Sequence, residues 1–308
     1  MKKIILLTFG FLVLTASGAI AQNNERGKKI LDNFQVRKAF ESSGDKKEPA
    51  ITSFILPKDK DNSFLINAGV SYNFIKVTHG KSRSTKMVFA PFFVYNRNTL
   101  IDQEQNNYKL GITHSYKIGN LSIAERKNRY FILNSTLQYQ RDKIDTSHSL
   151  IITSYLSEIS SGARKGSFYI NTYKDIGNNG FQYFFGWDAG FEYQNKFDAK
   201  NKDQIGSIVR SYYNVEFRIA KKVGTDDDGD ARLGERLIEL AASNAGRYDF
   251  INTTNFKEGY LPLVKGELVL YPTLNDKFSL GLSYNTGSNP VAGLLRQDYF
   301  LFALKFKL

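Results

Sequence analysis

Apolar side chains occupy every second position in several long segments of this 308-residue chain. The segment FQYFFGWDAGFEYQ, residues 181–194, has apolar residues at odd positions and mostly polar or small residues at even positions. Successive side chains of a β-strand point to opposite faces of its sheet, so this period of two predicts strands with one apolar face and one polar face. FLINAGVSYNF, 64–74, and IVRSYYNVEFRIA, 208–220, repeat the pattern.

The alternating segments are long and numerous. By their period of two we recognise about eleven of them, which begin near Phe64, Lys86, Asn107, Arg129, His148, Ser167, Phe181, Ile205, Leu263, Lys277 and Gln297. A twelfth strand is expected from one of two regions, and residues 247–256 are favoured over residues 50–56. Strands of globular proteins average about 5–6 residues, whereas a strand that crosses a bilayer needs about 9–11. The observed lengths favour strands that cross a membrane.

One region departs from this pattern. DARLGERLIELAASN, residues 230–244, has a helix-like composition and follows a cluster of aspartates. We therefore predict a short helical insertion near residues 230–245.

The first residues have the layout of a secretory signal. Lys2 and Lys3 precede an apolar run from Ile4 to Leu14, and small residues follow before position 22. A membrane-spanning helix would need about 20 apolar residues, so a cleaved signal peptide over residues 1–21 is the better interpretation. Residues 22–49 then form a polar N-terminal segment, and residues 50–308 form the strand-rich domain.

The final segment, QDYFLFALKFKL, alternates in the same way. Its apolar side chains lie at the even positions Phe300, Phe302, Leu304, Phe306 and Leu308. Together with the signal and the long strands, this segment resembles the C-terminal strand of the Gram-negative outer-membrane β-barrel superfamily, although that superfamily usually ends in phenylalanine.

This resemblance implies a fold, a location and partners. The fold is all-β, a transmembrane antiparallel up-and-down β-barrel of about 12 strands (10–12), because bacterial barrels have even strand numbers. The location is the outer membrane, with its lipid and lipopolysaccharide as surroundings. The barrel-assembly machinery is the expected partner of the five terminal apolar residues. The 230–245 insertion faces the periplasm if 247–256 is the twelfth strand, and the exterior if 50–56 is.

The charge and the cysteine content of the chain limit the binding partners that can be expected. The chain has 42 Lys and Arg against 30 Asp and Glu, and no cysteine. The absence of cysteine excludes a disulfide framework and a lipid-anchoring cysteine. On a secreted chain with membrane-type strands, the basic charge suits acidic lipopolysaccharide, and no nucleic-acid partner is expected.

Charged residues on the polar faces are the main candidates for function. We predict that they face the barrel lumen, and they comprise Lys109, Lys117, Arg210, Arg218, Lys265, Lys305 and Lys307 with Asp188, Glu192, Glu216 and Glu267. Rings of charge in a pore set ion preference. The basic excess therefore favours a passive channel for small anionic solutes. The alternative is a structural or partner-binding barrel whose lumen is filled by side chains that pair across strands.

Catalytic and metal-binding patterns are weak. The histidines are His79, His114 and His148, and the serines next to His114 and His148 point to the opposite face of their strands. No local His–Ser pair forms, so an outer-membrane enzyme is only a distant alternative to the two barrel functions; we predict no enzyme activity and no cofactor. Asp226, Asp228 and Asp230 offer oxygen ligands for calcium, but an EF-hand needs a carboxylate where Leu237 stands, so a turn is favoured.

Overall fold

The computed structural model describes residues 33–37, 39–40, 50–55, 63–79, 84–99, 104–119, 127–162, 169–224, 235–255, 259–272, 278–290 and 294–306. The predicted signal peptide, most of the 22–49 segment, the three candidate calcium ligands, Lys307 and Leu308 lie outside these residues. Within the described ranges, no helix has the length and apolar character needed to cross a membrane.

Nearly all described residues belong to one antiparallel sheet. Its strands are β1 (Phe34–Arg37), β2 (Ala50–Ile55), β3 (Ser63–Tyr72), β4 (Ile75–His79), β5 (Ser84–Asn98), β6 (Gln105–Gly119), β7 (Lys127–Asp142), β8 (His148–Gly162), β9 (Tyr173–Ile176), β10 (Phe181–Asp198), β11 (Gly206–Val223), β12 (Glu235–Asn252), β13 (Tyr260–Leu270), β14 (Phe278–Asn289) and β15 (Leu294–Phe306). A 3₁₀ turn, Lys202–Gln204, lies between β10 and β11.

The sheet has an up-and-down order, because most strands pair with their neighbours in sequence. Its path runs β1, β3, β2, β15, β14, β13, β12, β11, β10, β8, β7, β6, β5, β4, and β9 pairs with β10 beside this path. This path has more strands than the predicted 10–12. The additional ones are short: β4 continues along β5 where β3 stops, and β1 pairs with the end of β3.

The predicted helix near 230–245 is wrong. Residues 235–252 form β12, which pairs along its length with β11 and β13. Alanine, leucine, glutamate and arginine favour helices, but intrinsic propensity is weak and is overridden when tertiary pairing is available on both edges. The region 247–256, expected as a separate strand, supplies the end of β12.

Both candidate regions for the twelfth strand are in the sheet. Residues 50–55 form β2, which pairs with β3 on one edge and with β15 on the other. A long strand was expected to begin near Ser167. The described residues that follow contain only the four-residue strand β9. Residues 163–168 are outside the described chain.

One face of the sheet is polar and buried, and the other face is apolar and exposed. Along β10, Gln182, Asp188 and Glu192 are buried, whereas Phe191 is 62% exposed. The same alternation occurs in β7 and β11, where apolar side chains such as Leu137 and Phe217 are exposed. We call these the polar face, which is buried, and the apolar face, which is exposed. Water-soluble sheets bury their apolar face instead, because apolar burial drives folding.

Gly190 allows two strands of this sheet to approach closely. A Cβ atom built on Gly190 would lie 2.0 Å from the carbonyl oxygen of Ser154 on β8, whereas one built on Gly266 of β13 would meet nothing within 4 Å. We expect Gly190→Ala to lower the free energy of unfolding by about 1–3 kcal/mol through overpacking. Gly266→Ala should change it by less than about 0.5 kcal/mol. Denaturant unfolding of both variants tests this, and equal effects would contradict it.

Candidate functional site: the buried polar face

The described candidates for lumen residues lie on the polar face. Asp188, Glu192, Arg210, Lys109 and Lys305 are all buried. The other members of the predicted set, except Lys307, are partly buried at positions of the same face. Of the terminal apolar residues, Phe300 and Phe302 are exposed on the apolar face. The backbones of Leu304 and Phe306 belong to β15.

Glu192 is the centre of one cluster on the polar face. It is 1% exposed and accepts hydrogen bonds from the Tyr155 hydroxyl at 2.6 Å and from Arg247 Nε at 2.9 and 3.0 Å. The Tyr212 ring covers the guanidinium, with 4.7 Å from Arg247 Cζ to the ring centre. Four neighbouring strands, β8, β10, β11 and β12, thus supply one side chain each. A buried charge of this kind is tolerated only when it is paired and hydrogen-bonded.

Glu239 of β12 is the centre of a second cluster. The Tyr173 hydroxyl donates to it at 2.5 Å, and Arg218 Nη1 lies 2.9 Å away. Arg236 Nη1 lies 3.4 Å from Glu239 Oε2, the oxygen to which Tyr173 donates, whereas Arg218 contacts Oε1. Arg218 also contacts Glu216 at 2.7 Å, so its charge is shared by two carboxylates.

Two smaller groups lie in the middle of this face. Glu267 lies 2.6 Å from Lys305 Nζ and 3.1 Å from Lys265 Nζ. Asp188 accepts hydrogen bonds from Ser157 and, at 3.4 Å, from Asn214. The carboxylate Glu267 therefore faces two of the lysines that contribute to the basic excess.

Arg210 lies nearer to one end of the sheet. Its Nε is 2.6 Å from Asp249 Oδ1, and Nη1 donates to Gln194 at 3.0 Å. Both side chains of this ion pair are about 5% exposed. Four predicted lumen cations, Arg210, Arg218, Lys265 and Lys305, thus have a carboxylate oxygen within 3.1 Å. Pairing across strands, the alternative role of these charges, describes Arg210, Arg218 and Lys305, whereas Lys265 pairs with Glu267 of its own strand.

The sequence interpretation missed the partners from β12. Arg247, Glu239 and Asp249 contact charges that the pattern had placed on the polar face. Glu239 lay in the predicted helix, and Arg247 and Asp249 lay in the expected strand 247–256, for which no face was assigned. A usable signal was present: polar or small residues recur at every second position from Glu239 to Asp249. That alternation is what a strand with a polar face requires.

The N-terminal segment also reaches the polar face. Phe40 is 2% exposed and packs on Phe92 and Val94 of β5, with its ring centre 5.3 Å from that of Phe92. The Thr113 hydroxyl of β6 donates to the Phe40 carbonyl at 3.4 Å. Arg37 stacks on the Phe40 ring at 5.6 Å. Residues that precede β2 thus cover part of the polar face.

His114 and His148 lie apart from these clusters. The His114 ring stacks on Phe89, with 4.5 Å between ring centres, and Ser135 is its partner across β6 and β7. Ser135 Oγ bonds instead with Ser154 Oγ at 3.0 Å. His148 contacts the Tyr139 hydroxyl at the start of β8. Among the described side chains, no group of three or more His, Cys, Asp or Glu is arranged to hold a metal ion.

Comparisons with known proteins give no match: no family model, no curated protein and no solved structure is similar to this chain at a significant level.

Proposed function

We propose that this chain is an outer-membrane β-barrel of the Gram-negative type whose interior is filled by its own side chains. The observation that carries the proposal is the reversed polarity of the sheet, with buried ion pairs on one face and exposed aliphatic and aromatic side chains on the other. Hydrocarbon is the solvent in which an exposed apolar face is stable, and a closed sheet has no unpaired edge to place in it.

Strand pairings support closure of the sheet. β3 pairs with β5 on one edge and with β2 on the other, and β2 pairs with β15. Followed through β14 and the remaining neighbours back to β5, these pairs connect β2, β3, β5–β8 and β10–β15 in a ring. In this arrangement the polar face is the interior of a twelve-stranded barrel, which is an even number, as bacterial barrels require.

Paired charges support a filled interior over an open channel. Eight-stranded barrels are just filled by side chains, and barrels of 16–18 strands leave an aqueous channel. A barrel of twelve is intermediate, so the bulk of the inward-facing side chains decides the outcome. The Glu192, Glu239 and Glu267 clusters place long side chains along the inner wall, and Phe40 adds a residue of the N-terminal segment to that wall. We therefore place the structural or partner-binding role before the anion channel that the basic excess suggested.

Location and partners follow from the same proposal. The N-terminal pattern directs the chain across the inner membrane, and the apolar residues of β15 are offered to the barrel-assembly machinery. Exposed lysines and arginines at the strand ends would contact the acidic groups of lipopolysaccharide. Fractionation of cells that express the full chain should find it in the outer membrane, and a wholly soluble periplasmic product would overturn the proposal.

Electrical recording separates the filled barrel from the channel. We expect the full-length protein, inserted in a planar bilayer, to show no steady conductance, because paired side chains obstruct the interior. Heat-dependent migration on gels of the same sample shows that silence does not come from unfolded protein. Steady conductance would instead support the channel. The reversal potential in a salt gradient, for wild type and Arg210→Glu/Arg218→Glu, then reports whether these cations set an anion preference.

A further inference from the structure

A cavity of about 250 Å³ lies at one end of the sheet, between the ends of β7, β10 and β12 and the start of β11. This is the end opposite to the one at which β15 terminates. Six charged residues line it: Glu104, Asp142, Asp145, Lys196, Arg210 and Asp249. Apolar surface is added by Ile144 and Ile208. The wall thus combines charged groups with a small hydrophobic area.

The charges of the cavity are not balanced. Both cations are paired within the wall: Lys196 Nζ lies 3.2 Å from Asp145 Oδ2, and Arg210 Nε lies 2.6 Å from Asp249 Oδ1. Glu104 and Asp142 have no ion pair with any residue that the structure describes. With four carboxylates against two cations, the wall carries a formal excess of two negative charges.

Gln140 gives independent evidence for a missing partner. Its side chain is 5% exposed, lines the cavity, and has an Oε1 atom that accepts no hydrogen bond from the described residues. A buried acceptor without a donor destabilises a protein by about 1–3 kcal/mol. Such an atom needs a donor from an ordered water or from a ligand, and Gln140 Oε1 belongs to the wall of a cavity where a ligand can supply it.

We propose that this cavity binds a small organic cation with a primary ammonium group, such as an aliphatic diamine. The two ammonium groups of the diamine balance Glu104 and Asp142, and one of them donates a hydrogen bond to Gln140 Oε1, since an ammonium group has three donors and no acceptor. Methylene groups of the ligand contact Ile144 and Ile208. A metal ion fits less well, because the described carboxylates do not gather into a metal-binding group.

The size of the cavity agrees with such a ligand. Sites for drug-sized molecules measure about 300–1,000 Å³, and this cavity is just below that range. The inference goes beyond the proposed function and does not require it, because the wall is formed by paired neighbouring strands whether or not the sheet lies in a membrane.

Calorimetric titration of the purified full-length protein in mild detergent tests the site. The probe is 1,4-diaminobutane, and the matched neutral probe is 1,4-butanediol. We expect saturable binding of the diamine and none of the diol. Asp142→Asn and Gln140→Leu should each weaken diamine binding about tenfold or more, since each loses a hydrogen bond to a charged group. Glu235→Gln, which removes an exposed carboxylate at the opposite end of the sheet, should bind like wild type.

Glu104→Gln keeps the test decisive if the buried variants fold poorly, because Glu104 is exposed and precedes β6. It should also weaken the diamine severalfold. No saturable heat with millimolar diamine, equal binding of the diol, or unchanged affinity in Glu104→Gln and Asp142→Asn would each overturn the proposal. Binding of Ca²⁺ that displaces the diamine would replace it with a metal site.

Discussion

Replacing Glu192 with leucine should lower the free energy of unfolding by about 3–5 kcal/mol, the cost of breaking a buried ion pair from one side. Arg247 would keep its charge in a site where its side chain is about 6% exposed, and the Tyr155 hydroxyl would lose its acceptor. Unfolding by denaturant in detergent, followed by circular dichroism, gives the difference directly.

The double variant Glu192→Leu/Arg247→Met is the control for this effect. Removing both partners leaves no unpaired charge, so most of the stability should return, and the interaction energy of the double-mutant cycle should exceed about 0.5 kcal/mol. Asp198→Asn provides the contrast, because Asp198 forms an ion pair with Lys202 at the surface, where their side chains are 56% and 74% exposed, respectively. Such surface pairs contribute about 0–1 kcal/mol. If the double variant loses the sum of the two single losses, Glu192 and Arg247 are not coupled.

The faces of the strands were predictable, and their partners were not. The period of two in the sequence is enough to assign Glu192 and Arg210 to the polar face, because alternation is a local property of one strand. Glu192 meets Arg247 only through the pairing of β10, β11 and β12. Register between strands depends on contacts along all of them, so a pattern within one segment does not determine it.

A β-bulge in β12 is a second feature that the sequence pattern does not predict. Where β11 pairs with β12, Val209 is opposite Ile251 and Arg210 is opposite Asp249, so β12 has one extra residue, Phe250. Phe250 and Ile251 are both exposed as a result. A bulge of this kind shifts the alternation by one position. Asp249 and Arg210 still pair in the same register as Arg247 and Tyr212, and the shift affects the residues after Asp249. Simple alternation in the sequence contains no sign of it.

Phe191→Arg should sharply lower the amount of protein assembled in the outer membrane, if the apolar face contacts lipid. Phe191 is near the middle of β10 and is 62% exposed on that face. An arginine on the lipid side of a barrel costs about 2–4 kcal/mol near the midplane and about 0–1 kcal/mol near the interfaces. The matched control is Phe197→Arg, because Phe197 belongs to the same strand, is 53% exposed and is next to its end.

Comparison of these two variants separates a lipid-facing surface from an ordinary exposed one. On a water-exposed sheet both arginines would be tolerated, since charged residues are stable at a surface. In a bilayer, depth discriminates between them, because a side chain at the strand end can reach the polar headgroups. We expect heat-modifiable protein in the membrane fraction to be severalfold lower for Phe191→Arg and close to wild type for Phe197→Arg. Equal amounts of both would show that the apolar face of β10 does not lie in lipid.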